Sequence, residues 1–145
     1  MPVIVSGTRL PEASPSAAVP IPQSSLRILV VDDNRDSADS VAMMLELMGN
    51  EICTAYDGAE AIAAAARFGP DVVLLDIGLP KLNGFEVCRR LRAQPQAGAL
   101  VIIAQTGWGQ DEDRRRTLAA GFNYHMVKPI DPIALMQVLA GLRKE

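Results

Sequence analysis

From Leu26 onward, short apolar runs alternate with longer stretches whose apolar residues recur at helical spacing. The runs are rich in β-branched residues and are bounded by polar or turn-forming residues. Such alternation predicts parallel strands, each followed by a helix, in a sheet with helices on both faces. The pattern occurs five times before Leu142. A length of 145 residues suits one domain of this kind.

The spacing places each element along the chain. Strands are predicted at 27–31, 51–55, 72–75, 100–104 and 122–127, and helices at about 35–48, 59–68, 85–92, 111–120 and 132–142. Asn34 and Asp131 precede the first and last helices, where their side chains would accept hydrogen bonds from free backbone N–H groups. Gly49 and Gly69 follow two helices, as expected of residues that end them.

The first 25 residues differ from the rest. Five of the ten prolines fall before Ser24, and the stretch from 11 to 25 carries almost no charge. This composition is typical of a linker. The domains are therefore predicted as a linker over 1–25 and a folded domain over 26–145.

Composition excludes several classes of protein. A net charge of -3 provides no basic surface for nucleic acid, and no apolar run approaches the ~20 residues of a membrane helix. Residues 1–27 lack the cationic start and apolar core of a secretory signal, so we expect a cytoplasmic location without membrane contact. Cys53 and Cys88 lack the spacing of a zinc site or a disulfide framework.

Polar residues stand at the carboxyl ends of four predicted strands. Asp32 and Asp33 follow the first strand, Asp76 the third, Thr106 the fourth and Lys128 the fifth. Parallel strands bring these ends to one edge, where open α/β sheets bind ligands. Three carboxylates there would repel one another unless a cation held them, and oxygen ligands favour Mg²⁺ or a similar ion. Lys128 and the Thr106 hydroxyl would suit a further anionic group such as phosphoryl.

Each of these residues also has a structural interpretation. The acids after the first strand could cap a helix, Asp76 and Thr106 could be ordinary loop residues, and Lys128 could be a solvated lysine. Taken singly, these interpretations are the better ones. The joint occurrence at one predicted edge favours a functional site.

Four motifs in this order resemble the receiver domain of two-component response regulators. They are VVDDN at 30–34, LLDIGLP at 74–80, QTG at 105–107 and VKP at 127–129. The resemblance covers Leu26 to the C-terminus. It implies a flavodoxin-like, doubly wound sheet of five parallel strands in the order 2-1-3-4-5.

The resemblance also implies roles for the acidic residues. Asp76 would be the phosphoacceptor, which takes a phosphoryl group from a histidine kinase or a histidine phosphotransfer domain. Asp32, Asp33, Asp76 and the backbone carbonyl of Gly78 would hold Mg²⁺ or Mn²⁺. Such a domain catalyses its own phosphorylation and dephosphorylation, and any further enzyme activity would belong to a parent kinase.

The remaining implied roles concern the switch. Lys128 would contact a phosphoryl oxygen, and the Lys128–Pro129 peptide bond would be cis. Thr106 would move toward the phosphoryl group. His125 occupies the position at which the family commonly carries an aromatic switch residue, so an imidazole would replace an aromatic ring there. Gly78 replaces a longer side chain, which leaves the metal-binding carbonyl in place.

Alternatives differ in their required residues. An aspartate-nucleophile phosphatase usually needs a second acid just after the nucleophile, and Ile77 and Gly78 supply none. A flavodoxin-like cofactor binder would need a glycine-rich loop in place of the acids after the first strand.

GTRLP at 7–11 resembles the end of a histidine-kinase ATPase domain. We therefore expect the receiver of a hybrid sensor kinase, with a free-standing regulator as the alternative; the sequence leaves the oligomeric state open.

Overall fold

The computed structural model describes residues 25–79, 82–95, 98–107, 115 and 119–142. The predicted linker, except for Ser25, lies outside these residues. So does most of the helix predicted at 111–120. The architecture below refers to the described residues alone.

Five parallel strands form one sheet in the order β2-β1-β3-β4-β5, as the resemblance implied. The strands are β1 (Arg27–Val31), β2 (Glu51–Ala55), β3 (Val72–Asp76), β4 (Val101–Thr106) and β5 (Tyr124–Val127). The helices within the described ranges are α1 (Arg35–Leu47), α2 (Gly58–Phe68), α3 (Gly84–Arg92) and α4 (Pro132–Leu142). The chain therefore has the predicted doubly wound α/β fold.

Two predicted strand boundaries were wrong by two residues, and the others agree to within one. Strand β4 continues to Thr106 instead of ending at Ala104, and β5 begins at Tyr124 instead of Phe122. The apolar run ends before Gln105, but that residue pairs with Asp76 of β3, and Thr106 pairs with Val127 of β5. Hydrogen bonding to both neighbouring strands thus extends β4 past the point that its apolar pattern indicates.

The predicted helix caps are confirmed. The Ser37 N–H donates to Asn34 Oδ1 at 3.1 Å, and the Ile133 N–H donates to Asp131 Oδ1 at 3.0 Å. Gly69 ends α2 with a φ of 66°, a left-handed conformation that glycine adopts without steric cost.

The sheet buries a separate apolar layer on each face. Helices α2 and α3 cover one face, which includes Leu29, Leu75 and Ile102. Helices α1 and α4 cover the other, which includes Ile28, Leu74 and Ile103. Burial of the strands on both faces accounts for their continuous apolar sequence. Across the described ranges, every helix is too short or too polar to span a bilayer.

The start of α3 lies against the end of β3 because residue 84 is a glycine. A Cβ atom there would stand 2.3 Å from Ile77 Cα and 2.8 Å from the Asp76 carbonyl oxygen. Both neighbours are backbone atoms, which cannot rotate away. The Gly84 N–H also donates to the Ile77 carbonyl at 3.3 Å. Gly84 therefore fixes the helix against the loop that follows Asp76.

Substitution of Gly84 should consequently destabilise the domain. We expect Gly84→Ala to lower the free energy of unfolding by roughly 1–3 kcal/mol, since the added methyl group must displace backbone. Urea denaturation would measure the loss. Gly141→Ala is the matched control, because its Cβ would meet nothing within 4 Å and alanine favours helix. Equal stability of Gly84→Ala and the wild type would contradict the close packing.

Candidate functional site

Polar residues from four strand ends lie at one edge of the sheet. Asp32 directly follows β1, Asp76 and Thr106 end β3 and β4, and Lys128 directly follows β5. This edge lies beside the β1–β3 junction, where the strand order reverses and open α/β sheets bind their ligands. The structure thus brings together the residues that the sequence analysis singled out.

Lys128 bridges two of the carboxylates. Its Nζ atom donates to Asp32 Oδ2 at 2.8 Å and to Asp76 Oδ2 at 3.0 Å. The Asp32 side chain is only 2% exposed and that of Asp76 12% exposed. Two carboxylates this close and this buried would be costly without the shared ammonium group.

Backbone N–H groups bind the other oxygen of each carboxylate. The Asn34 N–H donates to Asp32 Oδ1 at 3.0 Å, and the Gly78 N–H donates to Asp76 Oδ1 at 2.8 Å. Each donor lies two residues after its acceptor, in the turn that leaves the strand. The turns after β1 and β3 therefore orient the carboxylates that Lys128 joins.

Burial and charge move the three pKa values differently. Burial acts to raise the pKa of Asp32, but the Lys128 ammonium and the Asn34 N–H outweigh it and hold this pKa below its usual value. Burial, together with the charge of Asp32, raises the pKa of Asp76 despite the Gly78 N–H and Lys128. Burial also opposes the charge of Lys128, yet hydrogen bonds to both carboxylates raise its pKa. The ammonium group therefore stays protonated.

A third carboxylate completes an acidic cluster. Ligand atoms of Asp32, Asp33 and Asp76 all lie within 4.8 Å of one another, and Asp33 is exposed. One ammonium group leaves this cluster with excess negative charge, and its hard oxygen donors suit Mg²⁺ or Mn²⁺. The residues present fit a divalent cation.

Thr106 and His125 form a second contact at this edge. Thr106 Oγ1 and His125 Nε2 lie 3.0 Å apart, which is hydrogen-bonding distance. Thr106 is buried, and its carbonyl accepts from the Lys128 N–H at 2.7 Å. The Lys128–Pro129 peptide bond is cis. Thr106 is therefore connected both to the strand that carries His125 and to the lysine of the acidic site.

Sequence reasoning assigned no role of their own to two residues near the site. Gly84 supports the loop after Asp76, and its only local signal is its position after Asn83, which caps α3. Gln105 is buried beside Thr106, although β4 is otherwise largely apolar. A polar residue at the end of a buried strand was the available signal for Gln105.

Comparisons with known proteins agree with this fold. The family model for the response regulator receiver domain matches residues 28–140. Protein PilH of Pseudomonas aeruginosa is 35% identical over 119 residues, which cover 79% of this chain and 98% of PilH. The crystal structure of chemotaxis protein CheY4 from Vibrio cholerae has a TM-score of 0.77 at 31% identity, and the match covers 82% of this chain and 99% of that one.

A further solved structure bears on the metal. It is the receiver domain of sensor histidine kinase PA1611 from Pseudomonas aeruginosa, with a magnesium ion coordinated in its active-site cleft. Its TM-score is 0.74 at 32% identity, with coverage of 82% of this chain and 98% of that one. Two other relatives are much longer, and the chain spans 47% and 26% of their lengths.

The fold and the acidic edge define a phospho-signalling α/β domain of the two-component type. The chain belongs to the response regulator receiver domain family. Receiver domains bind Mg²⁺ in the active site and receive phosphoryl groups from histidine kinases or phosphotransfer proteins.

The raised pKa of Asp76 leads to a prediction about stability. Such a group contributes stability that is present below its unfolded pKa of 3.8 and is lost as pH rises through its higher folded pKa. The ionised carboxylate therefore destabilises the fold at neutral pH. We expect Asp76→Asn to raise the melting temperature at pH 7 in metal-free buffer, with the gain shrinking as pH falls toward 3.8.

Thermal melts of both proteins across this pH range, in excess chelator, would measure the effect. Asp36→Asn is the control, since Asp36 is exposed in the first turn of α1 and its removal should bring no gain. A lower melting temperature for Asp76→Asn at pH 7 would contradict the proposed cost of the buried charge.

Proposed function

We propose that Asp76 is the residue that accepts the phosphoryl group from a histidine kinase or a histidine phosphotransfer domain. The observation that carries this proposal is the position of its carboxylate, which shares the Lys128 ammonium group with Asp32 at the open edge of the sheet. Of the two acids, Asp32 is the more deeply buried, with a side chain 2% exposed against 12% for Asp76. Asp76 is thus the bridged acid that an incoming donor reaches more readily.

In the proposed step, an Asp76 carboxylate oxygen attacks the phosphorus of a phosphohistidine. A phosphorus–oxygen bond forms, the phosphorus–nitrogen bond breaks, and the bonding electrons leave with the imidazole nitrogen of the donor. The Gly78 N–H keeps the carboxylate oriented through its 2.8 Å hydrogen bond. Lys128, released from Asp76 Oδ2, would donate instead to a phosphoryl oxygen.

Asp32, Asp33, Asp76 and the Gly78 carbonyl would hold a divalent cation, either Mg²⁺ or Mn²⁺. The ion would offset the negative charge that builds up between the carboxylate and the phosphoryl oxygens. Asp33 contributes an exposed carboxylate, whereas that of Asp32 is already engaged by Lys128 and the Asn34 N–H. We therefore assign Asp33 as the direct ligand, with Asp32 bound partly through water.

Phosphoryl uptake should require Asp76 and the cation together. Incubation with acetyl phosphate and Mg²⁺ should add one phosphoryl group to the wild type, as intact mass spectrometry would show, and none to Asp76→Asn or in excess chelator. Asp33→Ala should need more Mg²⁺ than Asp32→Ala for the same uptake. Persistent uptake in Asp76→Asn would rule out this phosphoacceptor, and equal Mg²⁺ dependence in both alanine variants would rule out the division of roles.

We also propose that Thr106 and His125 form the switch. The Thr106 hydroxyl now lies 3.0 Å from His125 Nε2 and would turn toward a phosphoryl oxygen once one is present. That turn would break the contact with His125. Strand β5 is an edge strand of the sheet, and its residue Tyr124 is 41% exposed. A change at His125 would therefore occur near a surface that a partner protein could bind.

Nitrogen NMR would test the switch directly, because His125 is the chain's only histidine. Beryllofluoride with Mg²⁺, a mimic of the phosphoryl group, should shift the His125 ring nitrogen resonances in the wild type. The same addition to Thr106→Val should leave them nearly unchanged, since the hydroxyl that makes the contact is missing. Equal shifts in the two proteins would remove Thr106 from the coupling.

We infer that the chain is the receiver of a hybrid sensor kinase, joined to it by the linker over residues 1–25. The GTRLP motif supports this context, and PA1611 shows a similar domain in a sensor kinase. PilH, which the chain matches over almost its whole length, supports a free-standing regulator instead. We also propose a cytoplasmic location, because the phosphoryl group of the donor histidine comes from ATP. The reading frame upstream of Met1 would distinguish these two contexts, because the hybrid context requires a kinase ATPase domain to be encoded there.

A further inference from the structure

Arg35, the first residue of α1, places a cation beside the acidic edge of the sheet. It lies two residues after Asp33, the exposed carboxylate of that edge. Its guanidinium group lies over the ring of Tyr56, with Cζ 4.1 Å from the ring centroid. Tyr56 directly follows Ala55, whose carbonyl accepts from the Asp32 N–H at 3.1 Å. The stacked pair therefore stands on the β2 side of the acidic residues.

Hydrogen bonds from three neighbours hold Tyr56 in place. Its hydroxyl donates to Asp39 Oδ1 of α1 at 2.7 Å and accepts from the Thr54 hydroxyl of β2 at 3.3 Å. Its backbone N–H donates to Glu60 Oε1 at 2.6 Å. A ring fixed at both ends presents one face to the guanidinium group, which is attracted to the π-electrons of that face. Tyr56 is thus a positioning residue for Arg35.

The Arg35 side chain is exposed, and none of the ion pairs among the described residues includes it. Asp39, one helical turn later, binds the tyrosine hydroxyl instead. Asp36 is the next residue of the helix, and successive helical residues do not face each other. A guanidinium group stacked on a ring keeps its N–H donors at the edge of its plane, where they can bind an anion.

The charge of the acidic site explains what an additional cation would do there. Lys128 and a bound divalent ion would together offset the three carboxylates of the cluster. The loaded site would then have no surplus positive charge to attract a phosphodonor, whose phosphoryl group is itself negative. Arg35 supplies a positive charge at the rim that the carboxylates of the cluster do not use.

We propose that Arg35, held by Tyr56, is a specificity-determining residue that favours phosphodonors with a doubly negative phosphoryl group. Its N–H groups would donate to phosphoryl oxygens of the donor as it approaches Asp76, while the guanidinium plane stays on the tyrosine ring. This inference rests on the proposed function, because it concerns the donor of the group that Asp76 accepts. Arg35 acts on the approach of the donor, and the transfer itself stays with the acidic site.

Two small phosphodonors of different charge would test this role. Acetyl phosphate is doubly negative at neutral pH, whereas phosphoramidate is mostly a singly negative zwitterion. The rate of phosphoryl uptake by the full chain would be measured with each donor at saturating Mg²⁺, by intact mass spectrometry. Arg35→Gln should lower the rate with acetyl phosphate roughly threefold and the rate with phosphoramidate by less than about twofold. Arg35→Lys should keep most of the acetyl phosphate rate.

The contribution of Tyr56 is tested by combining variants. Tyr56→Leu removes the ring and should lower the acetyl phosphate rate about as much as Arg35→Gln does. The double variant should be no slower than Arg35→Gln alone, because the ring acts through the guanidinium group. In about 1 M KCl, where the Debye length is about 3 Å, the rates of the wild type and Arg35→Gln should converge. Melting temperatures would verify that each variant is folded.

Arg67→Gln is the matched control. It removes the same charge from the last turn of α2, which lies beside the start of β1, since the Phe68 carbonyl accepts from Arg27 Nε at 3.1 Å. The starts of the strands are at the opposite edge from the acidic site, so both rates should equal those of the wild type.

The outcomes separate this inference from the proposed function. Uptake that persists in Asp76→Asn would overturn the proposed phosphoacceptor. With wild-type uptake dependent on Asp76, unchanged rates in Arg35→Gln would overturn the role of Arg35 alone. Equal losses with the two donors, or a loss that persists in about 1 M KCl, would also overturn it, because a structural defect affects both donors alike and is not screened by salt.

Discussion

The Lys128 ammonium group joins two carboxylates that the sheet places close together in a largely buried position. Asp32 is 96 residues away in sequence and Asp76 is 52 residues away, yet both lie within 3.0 Å of Lys128 Nζ. Without this cation, the edge of the sheet would hold two adjacent negative charges with little water to solvate them. The parallel topology makes the arrangement possible, since it brings the ends of β1, β3 and the segment after β5 together.

The two bridged acids are not equivalent, although they share a cation. The pKa of Asp32 is lowered, because Lys128 and the Asn34 N–H outweigh its burial. The pKa of Asp76 is raised, because burial and the charge of Asp32 outweigh its hydrogen bonds. The site is thus short of positive charge around Asp76. A divalent cation at the three carboxylates would correct that shortage, which links metal binding to the proposed role of Asp76 as a nucleophile.

The end of β4 connects this acidic site to the rest of the domain. The Thr106 carbonyl binds the Lys128 N–H, while its hydroxyl contacts His125. The side chain of the preceding residue, Gln105, faces the opposite side of the sheet. Its backbone carbonyl accepts a hydrogen bond from the Ile77 N–H at 3.1 Å. Two adjacent residues therefore contact the loop after Asp76, the lysine and the edge strand. These backbone hydrogen bonds constrain the main chain of Thr106, so a movement at this residue would be one of its side chain.

Most of the fold could be predicted from the sequence. Strands buried on both faces appear as continuous apolar runs, and helices appear as apolar residues that recur at helical spacing. The β1 and β2 boundaries and the Asn34 and Asp131 caps follow from such local signals. The end of β4 did not, because Gln105 and Thr106 are held in the strand by partners on β3 and β5. The order of the strands came from resemblance to a family, since local patterns do not state which strands pair.

The sequence by itself determined the α/β class and the set of polar residues at the strand ends, because these depend on residue type and on position along the chain. Only the tertiary structure decided that Lys128 binds Asp32 and Asp76 together and that Gly84 has no room for a side chain. It also decided that Gln105 is buried with no partner for Nε2 within the described part of the chain. Each of these depends on the distance between atoms far apart in sequence. Such distances are set by how the layers pack, and no local pattern of residues records them.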